Sequence, residues 1–395
     1  MKKSVVFITK SLCYHQVYLA DELYKIYGDD FIFIQMREPL DFRVAAHQEG
    51  FERPYLKGWS RSEEERKICI SALGKAEVII MGEVSYKITK HFNKRALLFR
   101  YSERLFKPIH HNYSFLKKCK QRLRYFLESK FPHCKKQVLL STGAYTPLDY
   151  SKMKSLKNRW YKWGYFPYFE KYNVDLLLEN KAKNKNLDIV WISRLISSKH
   201  PETAIKLALF LKQKGIKFQM HLVGDGDERE GELKQSILNS IRSNSLDKMV
   251  ICHGKVESEK VKTFYEKANI ALFTSSFDDG WGVGVNEAMN AGCAVLCAHS
   301  VGSSQYLIKN NINGVIYEYE NDEDMFSKAL HLIQNKEDRL NISKNAYLTI
   351  LHEWNYIEAA KRLSVLIEKM LGGEETPFKN GPCSLAPLLK EDSYE

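Results

Sequence analysis

The chain has 395 residues, 44% of them hydrophobic and 27% charged, a composition that builds two or three folded domains and excludes wholesale disorder. No apolar run approaches the roughly 18 to 20 residues of a bilayer-spanning helix, and the apolar stretch after Met1-Lys2-Lys3 is too short for a secretory signal, so a cytoplasmic protein is expected. Eight cysteines form no zinc pattern and read as reduced packing residues, while 60 Lys and Arg against 48 Asp and Glu, a net charge of +12, favour anionic partners.

Short β-rich runs alternate with amphipathic stretches through the first hundred residues: Val5 to Thr9, Tyr14 to Tyr27, Phe31 to Met36, Glu77 to Met81, Val84 to Phe92 and Ala96 to Arg100. That rhythm predicts an α/β domain. Between Arg100 and Lys162, sixteen Lys or Arg stand against three acidic residues (Glu103, Glu128 and Asp149), a local +13 that leaves the rest of the chain nearly neutral. Inside this stretch, Tyr113 to Phe131 carries apolar residues at 115, 116, 119, 123, 126 and 127, a helical stripe with cations on the other faces. Such a helix either lies on anionic lipid, making residues 100–162 a peripheral attachment to the inner face of a membrane, or packs its stripe against the protein. No base-reading motif is present, so specific binding of nucleic acid is not expected. Trp160, Trp163, Tyr165 and Phe166, around Gly164 and Pro167, are expected to pack the interdomain hinge, with stacking on a sugar as the alternative.

A lysine-rich polar stretch, Lys181 to Asn186, precedes a second and cleaner alternation. Strand patterns at Asp188 to Ser193, Phe218 to Val223, Met249 to Cys252, Ile270 to Thr274 and Ala294 to Ala298 are each followed by a helical one, starting at Pro201, Asp227, Ser258, Val283 and Ser303. Five βα units in series predict a parallel, doubly wound sheet with its ligands at the carboxyl ends of the strands. Two such domains suggest an intervening cleft. The expected boundaries are 1–168 for the first domain, 169–187 for a linker, 188–353 for the second domain, helix to 371, and a loose tail from 372 to 395, where three prolines and no apolar period occur.

The residues best suited to chemistry lie between Phe273 and Gly292. Gly280, Gly282 and Gly284 fall within five positions, flanking Val283, and allow backbone amides to approach a phosphate ahead of a helix start. Asp279 before the loop and Glu287 after it add two carboxylates, good acceptors for hydroxyls, so the site suits a ligand with hydroxyls on both sides of a phosphate, as in a nucleotide sugar. After the first strand of this domain, Ser193-Arg194-Leu195 and Lys199 supply two cations that would neutralise a diphosphate; after the second, Val223-Gly224-Asp225-Gly226 makes a tight turn. Each signal alone is commonplace, since such turns and solvated cations abound, but their joint order is not. No Asp-x-Asp metal motif stands at a strand end, so no metal is expected.

With these motifs in this order, residues 188 to 371 resemble the donor-binding domain of the family 4 glycosyltransferases, retaining enzymes of the GT-B fold. The resemblance rests on Ser193-Arg194-Leu195 with Lys199, the Val223 to Gly226 turn, the acidic-x7-Glu pattern from Asp279 to Glu287 with Ala288, Met289 and Gly292, and a last helix opening near His352-Glu353-Trp354. It implies two facing Rossmann-like domains with a cleft between them, a last helix that returns to the first domain, and hexose transfer to a glycan or lipid-linked acceptor, as in surface polysaccharide synthesis. The donor would be a nucleoside diphosphate sugar, UDP favoured over GDP, with no further cofactor. Arg194 and Lys199 would hold the diphosphate with the Gly224, Gly226, Gly282, Val283 and Gly284 backbone, Glu287 the ribose, and Asp279 the sugar hydroxyls. The family usually has Glu at position 279, so Asp shortens the reach by one methylene. Where the family often carries an active-site histidine, this chain has Tyr101-Ser102-Glu103-Arg104, making Glu103 and Arg104 candidates unless they form a structural pair; His15, in a first loop without glycine, is another. An epimerase of the same fold, or an inactive nucleotide-sugar or membrane-binding module, remains an alternative.

Overall fold

The computed structural model describes residues 3–38, 52–108, 114–130, 134, 136–154, 156, 159–183, 187–226 and 231–392. The chain divides into two compact units, one within Met1–Tyr168 and Trp354–Ser393, the other within Phe169–Glu353. In chain order, the first unit contains β1 (Val5–Thr9), α1 (Tyr14–Tyr27), β2 (Phe31–Gln35), β3 (Leu56–Gly58), α2 (Glu63–Lys75), β4 (Val78–Met81), β5 (Leu97–Ser102), α3 (Phe115–Lys130), β6 (Lys136–Thr142), α4 (Thr146–Lys152) and β7 (Trp160–Trp163). The second contains α5 (Val174–Lys183), β8 (Leu187–Ile192), α6 (Pro201–Gln213), β9 (Phe218–Val223), α7 (Gly231–Ser243), β10 (Val250–Gly254), α8 (Ser258–Lys267), β11 (Ile270–Phe273), α9 (Gly284–Asn290), β12 (Ala294–Ala298), α10 (Ser304–Leu307), β13 (Val315–Tyr317), α11 (Asp322–Gln334) and α12 (Lys336–His352); α13 (Tyr356–Gly372) then rejoins the first.

Among the described residues the first sheet has the order β3-β2-β1-β4-β5-β6-β7 and the second β10-β9-β8-β11-β12-β13, with every pairing parallel. Helices on both faces explain the continuous apolar strands: all of β1, β4, β11 and β12 is buried. Strand order reverses between β1 and β4 in the first unit and between β8 and β11 in the second, and in open sheets of this kind ligands bind outside the carboxyl ends of the strands at such a reversal. These are two Rossmann-like domains of a GT-B fold. α13 packs on α1 through the Tyr18 and Tyr356 rings, centroids 5.4 Å apart, and a 3.1 Å bond from Tyr27 Oη to Ser364 Oγ. Asn355 caps its first turn by accepting from the Glu358 amide.

Several expectations need correction. Three short strands, Leu56–Gly58, Trp160–Trp163 and Val315–Tyr317, and the seven-residue strand Lys136–Thr142 complete the sheets. Trp160 and Trp163 begin and end β7, and the Trp163 ring packs on Phe166, centroids 4.9 Å apart. The segment 169–187 is no bare linker, since α5 within it is anchored by buried Lys181, whose ammonium donates to the carbonyls of Tyr265 and Ala268 at the end of α8, at 2.8 and 2.7 Å. Nor is the tail loose: Cys383 N donates to Lys162 O and Lys162 N to Ser384 O, both 2.8 Å, and Ala386 N donates to Trp160 O, so the segment runs antiparallel alongside β7. Left-handed backbone at Gly381 and Cys383 (φ 72° and 67°) turns the chain into this position, and backbone pairing, which needs no apolar period, holds it there. The predicted helix start at Asp227 lies outside the described residues.

Candidate functional site

At the crest of the second sheet, two loops are tied together. The loop after β8 is held by bonds from Ser193 N to Val223 O and from Leu195 N to Asp225 O, each 3.0 Å. The loop after β11 reaches it through Ser276 N, which donates to Ser198 O at 3.0 Å, and Thr274 Oγ1, which donates to Lys199 O at 2.6 Å while accepting from the buried Trp191 indole at 2.8 Å. Across this seam Lys199 Nζ and Asp279 Oδ2 lie 2.5 Å apart, their side chains 17% and 14% exposed. Lys199 and Asp279, separately assigned by the sequence to a diphosphate and to sugar hydroxyls, are thus bonded to each other. An ammonium has three donors and a carboxylate several lone pairs, so one link leaves both groups able to take a ligand. Arg194, in the same loop, is exposed and has no charged partner among the described residues.

The glycines are where close approach demands them. Gly224 has φ 132°, and a Cβ there would run into the carbonyl of Ser193; its amide donates to Gly254 O at 2.8 Å. Next to it, Asp225 accepts from Gly226 N at 2.8 Å and pairs with Lys234 at 2.8 Å; hydrogen bonding from that lysine lowers the Asp225 pKa. Gly282 has φ 81°, and a side chain there would press on Val301 and on Asp279 Oδ2. Gly284, the first residue of α9, faces the Tyr265 hydroxyl and the Phe273 ring. Tyr265 Oη is buried without a hydrogen-bond partner among the described residues, and burial, with the charge of Glu287 adding to it, raises its pKa well above its ordinary 10. Glu287 is half-buried on α9, three residues after Gly284. Among the described residues no three His, Cys, Asp or Glu side chains converge as a metal-ligand set.

In the first unit, residues that follow β1 and β5 meet in a second cluster. Glu103 accepts from Tyr165 Oη and, at 2.9 Å, from Lys107 Nζ. The Tyr165 ring stacks on His15 with centroids 3.9 Å apart, and His15 Nε2 lies 3.1 Å from Cys13 Sγ. Glu103 and His15, alternatives by sequence, are joined through Tyr165, whose place the sequence leaves between a hinge and a sugar-stacking role. Burial, followed by the charge of Glu103, pushes the Tyr165 hydroxyl far above its usual range. Arg104 is excluded from this cluster. It is buried, 3.2 Å from Asp149 and 2.5 Å from Glu391, while Asp149 also accepts from the amides of Leu105 and Phe106: a structural pair. Tyr165 and Cys13 escaped prediction because no local pattern links residues 13, 103 and 165; Thr274, in contrast, ends an evident strand in the loop already singled out.

The comparisons with known proteins fit this geometry. Residues 176–349 match the family model Glycosyl transferases group 1. The matched stretch lies wholly within the second unit. The amylovoran biosynthesis glycosyltransferase AmsK of Erwinia amylovora is 26% identical over 206 residues, 51% of this chain and 48% of the relative; the chain spans about half the length of the curated relatives it matches. Anabaena HepE, crystallised with UDP and glucose, superposes with a TM-score of 0.67 at 13% identity, covering 93% of this chain and 99% of HepE. A Staphylococcus aureus TarM mutant in complex with UDP and α-GlcNAc-glycerol gives 0.54 at 18% identity, covering 77% of this chain and 58% of TarM.

Proposed function

We propose that the protein is a retaining family 4 glycosyltransferase that moves a hexose from a nucleoside diphosphate sugar, UDP preferred to GDP, to a glycan or lipid-linked acceptor in polysaccharide synthesis. The observation that carries this reading is the Lys199–Asp279 pair, which joins the two ligand-facing loops at the switch point of the second sheet and sets a cation beside a carboxylate. Arg194 and the two remaining Lys199 donors would meet the diphosphate, whose charge grows as it leaves, so that they stabilise the transition state more than the bound donor. Glu287 would accept from the ribose, Asp279 from the sugar. Gly224, Gly226, Gly282, Val283 and Gly284 would let the ligand lie against backbone. Glu103, oriented by Tyr165 and Lys107, would meet the acceptor. The UDP in the HepE and TarM structures favours a UDP-sugar, and the naming of AmsK for amylovoran biosynthesis favours a polysaccharide product.

The test is mass spectrometry of the protein with a panel of UDP-, GDP- and dTDP-sugars, followed by proton NMR of the product anomer. Consumption of one donor with the anomeric configuration preserved supports the reading. Sugar interconversion would replace it with an epimerase, inversion would remove the retaining assignment, and a panel left intact would leave only a binding module.

A further inference from the structure

Most of the apolar stripe on α3 is exposed. At about 100° per residue, Leu116, Cys119, Leu123, Phe126 and Leu127 fall within an arc of roughly 100°. Leu116 is 71%, Leu123 57% and Phe126 46% exposed, and Cys119 is exposed as well, while Leu127 at the edge of the arc is half-buried. The other side of the helix meets the protein: Gln121 and Tyr125 are half-buried, and Tyr125 sets its ring edge against Phe106 with centroids 5.6 Å apart. A helix that packed by its stripe would have the reverse orientation.

Cations border the outward stripe. Lys117, Lys120 and Arg122 are all exposed, the two lysines along one margin and the arginine along the other. They belong to the 100–162 segment, whose net +13 contrasts with the near neutrality of the rest of the chain. An exposed aliphatic and aromatic stripe costs free energy in water and is not explained by attraction to a polyanion such as nucleic acid, which would call for cations alone; an outward stripe between cationic margins matches a surface that is apolar beneath and anionic above. No described helix is long and apolar enough to cross a membrane, so the match is with an interface rather than a span.

We propose that α3 seats the protein on an anionic lipid surface, with Leu116, Leu123 and Phe126 entering the boundary below the headgroups and Lys117, Lys120 and Arg122 meeting lipid phosphates. The attachment rests on the first unit alone and is independent of the donor chemistry assigned to the second.

The experiment is co-sedimentation of the full chain with phosphatidylcholine vesicles and with mixed phosphatidylcholine–phosphatidylglycerol vesicles, at low and high salt. Two triple variants accompany the wild type, L116S/L123S/F126S and K117Q/K120Q/R122Q. All substituted side chains are exposed, and matching thermal melts establish that the variants fold. The wild type is expected on mixed vesicles only, with recovery reduced about fivefold or more by either variant and by high salt. Iodoacetamide labelling of Cys119, followed by peptide mass mapping, should slow when mixed vesicles are present. No recovery of the wild type, or equal recovery of wild type and L116S/L123S/F126S, overturns the proposal, as does unchanged Cys119 labelling. Association of the wild type in sedimentation velocity without lipid, abolished by L116S/L123S/F126S, would assign the stripe to a second copy of the chain instead.

Discussion

Lys199 and Asp279 confine each other at 14% to 17% exposure, and that confinement makes their separate removal informative. Replacing Lys199 by Met leaves a mostly buried carboxylate without its cation, a change worth roughly 3 to 5 kcal/mol when burial is complete and less here. We expect K199M to melt several degrees lower, and K199M/D279N to regain most of that stability while remaining as inactive as K199M. Recovery of turnover in the double variant would assign the pair to structure alone. Glu287 tests the other end of the loop. A hydrogen bond to a charged group contributes about 1.5 to 3 kcal/mol, so E287A should weaken donor binding about ten- to a hundredfold with its melting unchanged. Calorimetric titration measures it, and equal affinity removes Glu287 from the site.

At the scale of elements, the Val223 to Gly226 turn joins β9 to the crevice by backbone that only glycine tolerates at position 224. Because φ 132° is strained for any L side chain and a Cβ would strike Ser193 O, G224A should displace the 193–199 loop. The expected result is a clear loss of thermal stability and of donor affinity together, by thermal melt and titration; a fully stable G224A would mean that the turn can rearrange. The same turn carries a pH dependence of definite sign. Asp225 has a folded pKa below its ordinary value, caused chiefly by Lys234, so its stabilising contribution is complete above the unfolded value of about 3.9 and is lost as pH falls through the folded one. Melting temperatures measured from pH 6 down to pH 3 should therefore fall less for D225N than for the wild type, and parallel curves would show that the link to Lys234 contributes nothing.

Over the whole molecule, what the sequence revealed follows from how local each signal is. Strands buried on both faces, such as Val5 to Thr9 and Ile270 to Phe273, announce themselves by composition, and the glycine loop with Asp279 and Glu287 is contiguous. The Lys199–Asp279 bond and the Glu103–Tyr165–His15 stack join residues 80 and up to 150 positions apart, and no periodicity encodes such meetings. Short strands escaped for another reason: Leu56–Gly58 and Val315–Tyr317 have three residues each, too few to display a pattern. The segment beside β7 was missed because backbone, not side chains, holds it, and its position bears on solubility. β7 is the last strand of its sheet, and without residues 383–386 it would present unpaired amide and carbonyl groups to any neighbouring chain. Residues 383–386 thus act as a built-in guard against self-templated strand addition. A variant ending at Gly373 should show concentration-dependent association by light scattering as well as a lower melting temperature, whereas a monodisperse truncation would mean that β7 needs no cover. A polypeptide fused close behind Ala386 would hang from a segment that pairs with the sheet, so an affinity tag placed there would be less innocent than the sequence suggests.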